Sequence, residues 1–249
     1  MAVAISDNVS KTIAPGDTMF VPGQDEQYFA VGKSAVSCID TAVRAAGKTS
    51  ADIKSVLDFP CGHGRVLRHL IGTYTNAKFT ASDLDKDGVD FCQSAFGVRG
   101  VYSHVDPTQI PLPENEYDLI WVGSLLTHFD AHRWAPFFRF FASRLKVGGV
   151  LAFSTHGRTT VAWMENKVYD YALPPDVMAD CLGQYKSKGF GYVQYVGSPL
   201  DYGVSLSTPS WVTGQLAQVP ELRLVHYVEG GWVQHHDVVS CVRGPVFWP

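Results

Sequence analysis

The chain has 249 residues, 46% of them hydrophobic and 18% charged, which fits one large domain with a buried core and excludes disorder. A net charge of −4 gives no electrostatic reason to expect nucleic acid or an anionic membrane surface as a partner. No stretch approaches the roughly 20 consecutive apolar residues of a membrane span. The opening residues lack a basic segment followed by an apolar core, so no secretory signal is expected. Cys38, Cys61, Cys92, Cys181 and Cys241 are odd in number, scattered, and form no CxxC pair. Reduced thiols in the cytoplasm are the expectation.

The first 24 residues read as irregular, broken by Pro15-Gly16 and Pro22-Gly23. Helical spacing of Phe29, Val36, Ile39 and Val43 predicts a helix over about 26–46, stopped by Gly47. Strand–helix units follow: strand 55–59 with helix 64–72, strand 78–82 with helix 85–96, then strand 100–104 and a proline-rich loop. Strand 117–122 precedes a helix over about 131–145 that carries Trp134, Phe137, Phe138, Phe140 and Phe141. Gly148-Gly149 leads into strand 150–154. Such alternation predicts a parallel sheet covered on both faces. Residues 157–206 break the pattern and hold six of the eleven tyrosines, which predicts an irregular functional insertion. A helix (209–217) and two strands (222–228 and 237–242) complete the chain.

The most informative stretch is Asp58-Phe-Pro60-Cys61-Gly62-His-Gly64-Arg65, between an apolar strand and a helix start. Gly62 and Gly64 have no Cβ, so backbone N–H groups can approach a ligand there. The dinucleotide fingerprint G-x-G-x-x-G fails, because Leu67 holds the place of the third glycine, and no phosphate-loop pattern occurs. An NAD-type oxidoreductase is disfavoured accordingly. Asp83 ends the second strand about 20–25 residues beyond the turn, where a carboxylate can accept from both ribose hydroxyls. Asp106, just before Pro107, could accept from the exocyclic amine of adenine or merely cap its own turn. Gly123 and Ser124 end the fourth strand, at the carboxyl edge where ligands of open α/β sheets bind.

In this order and spacing the motifs resemble those of class I S-adenosylmethionine-dependent methyltransferases, over about residues 50–156. Asp58 to Arg65 resembles the family's first motif, Asp83 its ribose-binding acid and Asp106 its adenine-side acid. Residues 110–120 resemble its fourth motif, and Arg144 to Gly149 the turn before its fifth strand. The resemblance implies an α/β three-layer sandwich with a seven-stranded, mostly parallel sheet whose last strand is antiparallel, and a tyrosine-rich insertion after the fifth strand. It implies S-adenosylmethionine as methyl donor, with S-adenosylhomocysteine as product. The cofactor would be held by Asp58, Pro60, Cys61, Gly62, Gly64 and Arg65 of the turn, by Asp83 and Leu84, by Asp106 and Pro107, and by Gly123 and Ser124, with Tyr28 as a lid contact. Pro60 departs from the glycine of many members and removes one backbone donor.

One methyltransferase domain is expected over 1–249: an N-terminal segment and lid helix (1–47), a cofactor-binding core (48–156), a substrate cap (157–206) and a C-terminal helix and hairpin (207–249). Histidines at the carboxyl edge suit proton transfer, so His128, His156 and His236 are the catalytic candidates. Tyr171, Tyr202, Trp232 and His235 are candidates for the acceptor pocket. His128 and His132 stand at i,i+4, but no acidic motif accompanies them and no metal is expected. The expected reaction is O- or N-methylation of a small polar acceptor, such as a saccharide or secondary metabolite, with no nucleic-acid or membrane partner. The alternative is a non-catalytic module that binds the same nucleoside. Oligomeric state has no signature in the sequence.

Overall fold

A period of two along the strands decides which side chains meet which helices. The computed structural model describes residues 3–198 and 201–245. In chain order the first elements are α1 (Asp25–Ala45), β1 (Ser55–Asp58), α2 (Leu67–Thr73), β2 (Lys78–Asp83), α3 (Lys86–Phe96) and β3 (Arg99–Tyr102). Then come β4 (Tyr117–Val122), α4 (Ala131–Arg144), β5 (Leu145–His156), α5 (Arg158–Glu165) and α6 (Pro175–Lys188). The chain continues through β6 (Phe190–Gln194), β7 (Gly203–Ser207), α7 (Pro209–Leu216), β8 (Leu222–Trp232) and β9 (His236–Arg243).

On one face of the sheet Leu57, Ile120, Val122, Leu151, Phe153 and Val239 pack with the aromatic side of α4 and with Val212 and Leu216 of α7. Their neighbours one residue away, Val56, Leu119, Trp121, Val150, Ala152 and Val238, face Ala35, Val36, Ile39 and Val43 of α1. A side chain such as Phe138, with no exposure, contributes about 1.5–3 kcal/mol by leaving water. Helix ends are set locally. The Asp85 carboxylate accepts from the Asp87 amide and Gly97 closes α3 in the left-handed region, while Asp130 accepts from the amides of His132 and Arg133 at the start of α4.

The seven strands run in the order β3-β2-β1-β4-β5-β9-β8. β1 pairs in parallel with β2 on one side and with β4 on the other, and β9 lies antiparallel between β5 and β8. The sheet is the three-layer α/β arrangement expected, with β9 as the antiparallel strand. The order reverses between β1 and β4, the place at which open α/β sheets bind ligands beyond the carboxyl ends of their strands.

Three elements differ from expectation. β5 begins at Leu145 rather than Val150, because the Gly148-Gly149 turn lies within its ladder. β8 runs on to Trp232, past a register shift that the alternating pattern hides. The tyrosine-rich insertion is not irregular. It folds as α5, α6 and the β6–β7 hairpin around Met164, Leu173, Cys181, Val204 and Leu206.

Candidate active site

β1 ends at Asp58, which is 1% exposed, and its Oδ2 has no hydrogen-bond partner. Burial, with Asp83 close by, holds its carboxyl well above the usual carboxylate range. The turn that follows is fastened on both sides: the Phe59 amide donates to the Trp121 carbonyl (3.0 Å) and the Cys61 amide to the Ser82 carbonyl (3.1 Å). Gly62 and Gly64 both have positive φ, at 48° and 74°. They serve different ends. A Cβ on Gly64 would lie 2.5 Å from the Phe96 ring, so this glycine lets α3 pack against the turn, whereas a Cβ on Gly62 would meet nothing within 4 Å.

β2 delivers Asp83 to the same place. Its Oδ2 accepts the Gly62 amide at 2.7 Å and its Oδ1 the Asp85 amide at 3.0 Å. Two backbone bonds fix the carboxylate and leave its remaining lone pairs for a ligand. Burial raises its pKa despite those two bonds.

A cavity of about 360 Å³ opens beside Asp83, lined by Leu84, Asp85, Ser103, His104 and Val105 and floored by Phe59, Phe129 and Phe137. A second, of about 380 Å³, is lined by Asp58, Cys61, Arg65, Trp121, Gly123, His128, Tyr195 and Trp232. The two share Asp17, Met19, Pro60, Gly62, His63, Asp83, Ser124 and Tyr202, so they form one cleft across the reversal of strand order.

Several candidates from the sequence therefore come together in this cleft: Asp58, Pro60, Cys61, Gly62, Arg65, Asp83, Leu84, Gly123, Ser124, His128, Tyr202 and Trp232. Tyr28 is buried one step behind, its hydroxyl 2.6 Å from Asp17 Oδ2, and it lines a side pocket with Met19 and Arg65. Asp106 and Pro107 do not line the cleft. The Asp106 carboxylate caps a 3₁₀ turn through the Thr108 amide (2.9 Å) and hydroxyl (2.7 Å), and the backbone neighbours Ser103 to Val105 take the wall position.

His128 is held closely. Its Nδ1 lies 2.6 Å from the Gly203 carbonyl, which can only accept, so Nδ1 carries the proton and Nε2 keeps a lone pair. Tyr202 stacks on the ring at 4.3 Å. Burial lowers the His128 pKa to about 4, so the imidazole is neutral near pH 7.

His156, His235 and His236 gather with each other rather than over the cleft. His156 lies 4.7 Å from His236 and 6.0 Å from His235, ring to ring, and Tyr171 packs on His156 at 4.8 Å. None of these four lines either cavity. Burial keeps His156 and His236 well below the usual imidazole range.

Sequence reasoning missed Asp17, Thr18 and Met19, which cross the mouth of the cleft. Nothing in their local pattern marks them, since the strap is irregular and is placed by Asp17 bonding to Tyr28. It also missed the apolar floor, although Phe137 stood in the aromatic run of α4.

A Rossmann-like sheet with a glycine turn, a carboxylate at the end of β2 and a cleft at the strand-order reversal is the layout of nucleoside-binding α/β proteins. Comparison narrows the class. A family model described as a methyltransferase domain matches residues 56–149. A fatty-acid O-methyltransferase of Mycolicibacterium smegmatis is 30% identical over 76 residues, 30% of this chain and 28% of that one. A phthiotriol/phenolphthiotriol dimycocerosates methyltransferase 1 of Mycobacterium ulcerans is 28% identical over 115 residues, 45% of this chain and 41% of that one. The matches thus span well under half the length of these curated relatives. An S-adenosylmethionine-dependent methyltransferase from Clostridium acetobutylicum shares the fold at a TM-score of 0.58 and 14% identity, over 86% of this chain and 92% of that one. Human N-acetylserotonin methyltransferase, solved with S-adenosylmethionine, does so at 0.54 and 16%, over 86% and 52%. Residues 56–149 thus match a methyltransferase domain, and the chain shares its fold with solved S-adenosylmethionine-dependent methyltransferases.

Proposed function

We propose that the protein transfers a methyl group from S-adenosylmethionine to an oxygen or nitrogen of a small acceptor. The observation that carries this is the Asp83 carboxylate, locked onto the Gly62 amide and facing a cleft with a nucleoside-sized aromatic floor. The residues present fit the donor. Asp58 has an unpartnered buried oxygen, and the space beside Gly62 is open. Asp83 would hold the ribose, Leu84 and residues 103–105 the adenine, and the Gly62 turn with Asp58 the amino-acid end. Arg65, set largely out of solvent beside Tyr28, would pair with its carboxylate. When bound, the donor supplies an activated methyl on a sulfonium.

The chain's own work is then alignment and exclusion of water. Tyr195, Tyr202, Trp121 and Trp232 supply flat walls for the acceptor, with His128 between them. With Nδ1 committed to Gly203, His128 Nε2 can accept the acceptor's O–H or N–H and orient its lone pair. A base with a pKa near 4 is weak toward a free hydroxyl. It suffices for a proton whose oxygen is gaining a methyl and becoming strongly acidic. We assign acceptor contact to Tyr202 and Trp232. His156, His236, His235 and Tyr171 would act at one remove, supporting the wall. The 157–206 segment is the cap that closes this side. The name of one curated relative, a fatty-acid O-methyltransferase, favours oxygen as the atom methylated and an acceptor with an apolar body. Free thiols throughout are in keeping with a reducing compartment such as the cytoplasm.

Calorimetry with S-adenosylhomocysteine tests the donor half: micromolar or tighter binding that is lost in Asp83→Ala is expected, and no binding by the folded wild type sinks the proposal. Transfer of labelled methyl from the donor to a panel of hydroxy and carboxylic acceptors tests the other half. A protein that binds the product yet transfers to nothing would favour the non-catalytic module.

A further inference from the structure

The end of the sheet beside the cap holds a group of three imidazoles that the proposed reaction does not use directly. His156 ends β5, His236 opens β9 opposite it, and His235 lies in the turn between β8 and β9. One ring nitrogen of each lies within 4.8 Å of the other two. Each ring is also anchored. His235 Nδ1 donates to the Val233 carbonyl at 2.9 Å, which leaves the lone pair on Nε2. His236 Nδ1 sits 3.2 Å from Ser154 Oγ, a hydroxyl that already accepts the Ser124 amide. His156 bonds to the Ser205 backbone, while its Nδ1 is buried with no hydrogen-bond partner. A buried ring nitrogen left without a partner costs stability unless something else supplies the bond.

Anchoring of one nitrogen by a carbonyl or hydroxyl, with the other left to ligate, is how metal-binding histidines are oriented. We propose that His156, His235 and His236 form a three-imidazole site for a divalent transition metal of the zinc type. Three imidazoles fill three of the four positions of a tetrahedral ion and leave one for water. Bonds of about 2.0–2.1 Å require nitrogens about 3.3 Å apart, so the trio must close by up to about 1.5 Å. His235 can supply that movement: it is half-buried and stands in a turn, with Trp163 stacked on its ring at 4.6 Å.

The location gives the site its consequence. The cap packs on it from several sides: Thr160 and Trp163 of α5 hold His235, Tyr171 packs on His156, and Ser205 of β7 anchors His156. An ion here would tie the end of β5 to the β8–β9 turn beneath the cap, one ring behind His128, which lies 6.5 Å from His156.

The test uses the full chain without a polyhistidine tag, stripped with chelator and titrated with Zn²⁺. One Zn²⁺ per chain, with a raised melting temperature, is expected. His235→Gln should weaken binding by more than about 100-fold, since even the outer partners of a metal ligand cost 10–100-fold. Co²⁺ loading should give the visible spectrum of a four-coordinate, nitrogen-rich site. A wild type that binds S-adenosylhomocysteine but takes up no Zn²⁺, or a His235→Gln variant with wild-type Zn²⁺ affinity, overturns the proposal. Should His235→Gln fail to fold, a Co²⁺ spectrum of six-coordinate form in the wild type does so independently. The site stands apart from the methyl-transfer reading, and product binding separates failure of one from failure of the other.

Discussion

The two sides of the cleft are built by different means. On the donor side, short stretches of chain do the work: a turn of a few residues, a carboxylate at a strand end, and backbone amides whose bonds hold both in place. On the cap side, rings from four distant segments meet by packing, and hydrogen bonds to carbonyls then fix their tautomers. Backbone geometry tolerates little, so the donor side is specific in chemistry and economical in residues. Ring packing tolerates exchange, so the acceptor side is where related proteins can diverge while keeping the fold.

The largest effect that would sharpen this contrast lies where the sides meet. Trp232 is 3% exposed, packs edge-on against Trp121, and donates its indole N–H to the Val31 carbonyl at 3.1 Å. Trp232→Ala should cost about 3–5 kcal/mol of stability, read by denaturant unfolding. A loss below 1 kcal/mol would mean that the wall is not one packed unit. Next, Asp83→Ala should weaken S-adenosylhomocysteine binding roughly 100-fold, because two hydrogen bonds to a charged acceptor disappear. Equal binding by the variant would break the assignment of the donor side. His128→Gln should leave product binding near wild type and lower turnover about 100-fold. If affinity falls and turnover of bound donor does not, His128 belongs to the donor side.

Acid should expose the cap side through His128. Its folded pKa of about 4 is depressed from the ordinary imidazole value. The unfolded chain therefore takes up a proton on this ring before the folded one does. That contribution is intact above about pH 6.5 and is lost as pH falls toward 4. Asp58 and Asp83, whose pKa values are raised, act in the opposite sense, and the folded state gains from them as they protonate. Urea midpoints of wild type and His128→Gln at neutral and mildly acid pH isolate the histidine part, and the variant should show the flatter profile. The smallest effect is expected for Asp106→Ala. With its carboxylate spent on the Thr108 cap, product affinity should stay near wild type. A large loss would return Asp106 to the adenine site.

Much of this fold is legible in the chain. β4 runs from Tyr117 to Val122, the expected bounds, and Asp85 and Gly97 bound α3 with ordinary cap chemistry. The insertion was not legible, because its helices and hairpin bury one another and show no long periodic stripe. Asp106 illustrates the limit of a motif. Its position follows from the sequence, but whether the carboxylate faces a ligand or its own turn depends on a rotamer, and here it faces the turn.

The sequence by itself determined the α/β layering, the glycine turn and the carboxylate that meets it, since these rest on periodicity, absent Cβ atoms and short loops. Only the tertiary structure decided that a strap through Met19 crosses the cleft, that Gly203 sets the tautomer of His128, and that His156, His235 and His236 stand together. Contacts between residues far apart in the chain carry no local signature, and they exist only once the sheet has brought its strand ends together.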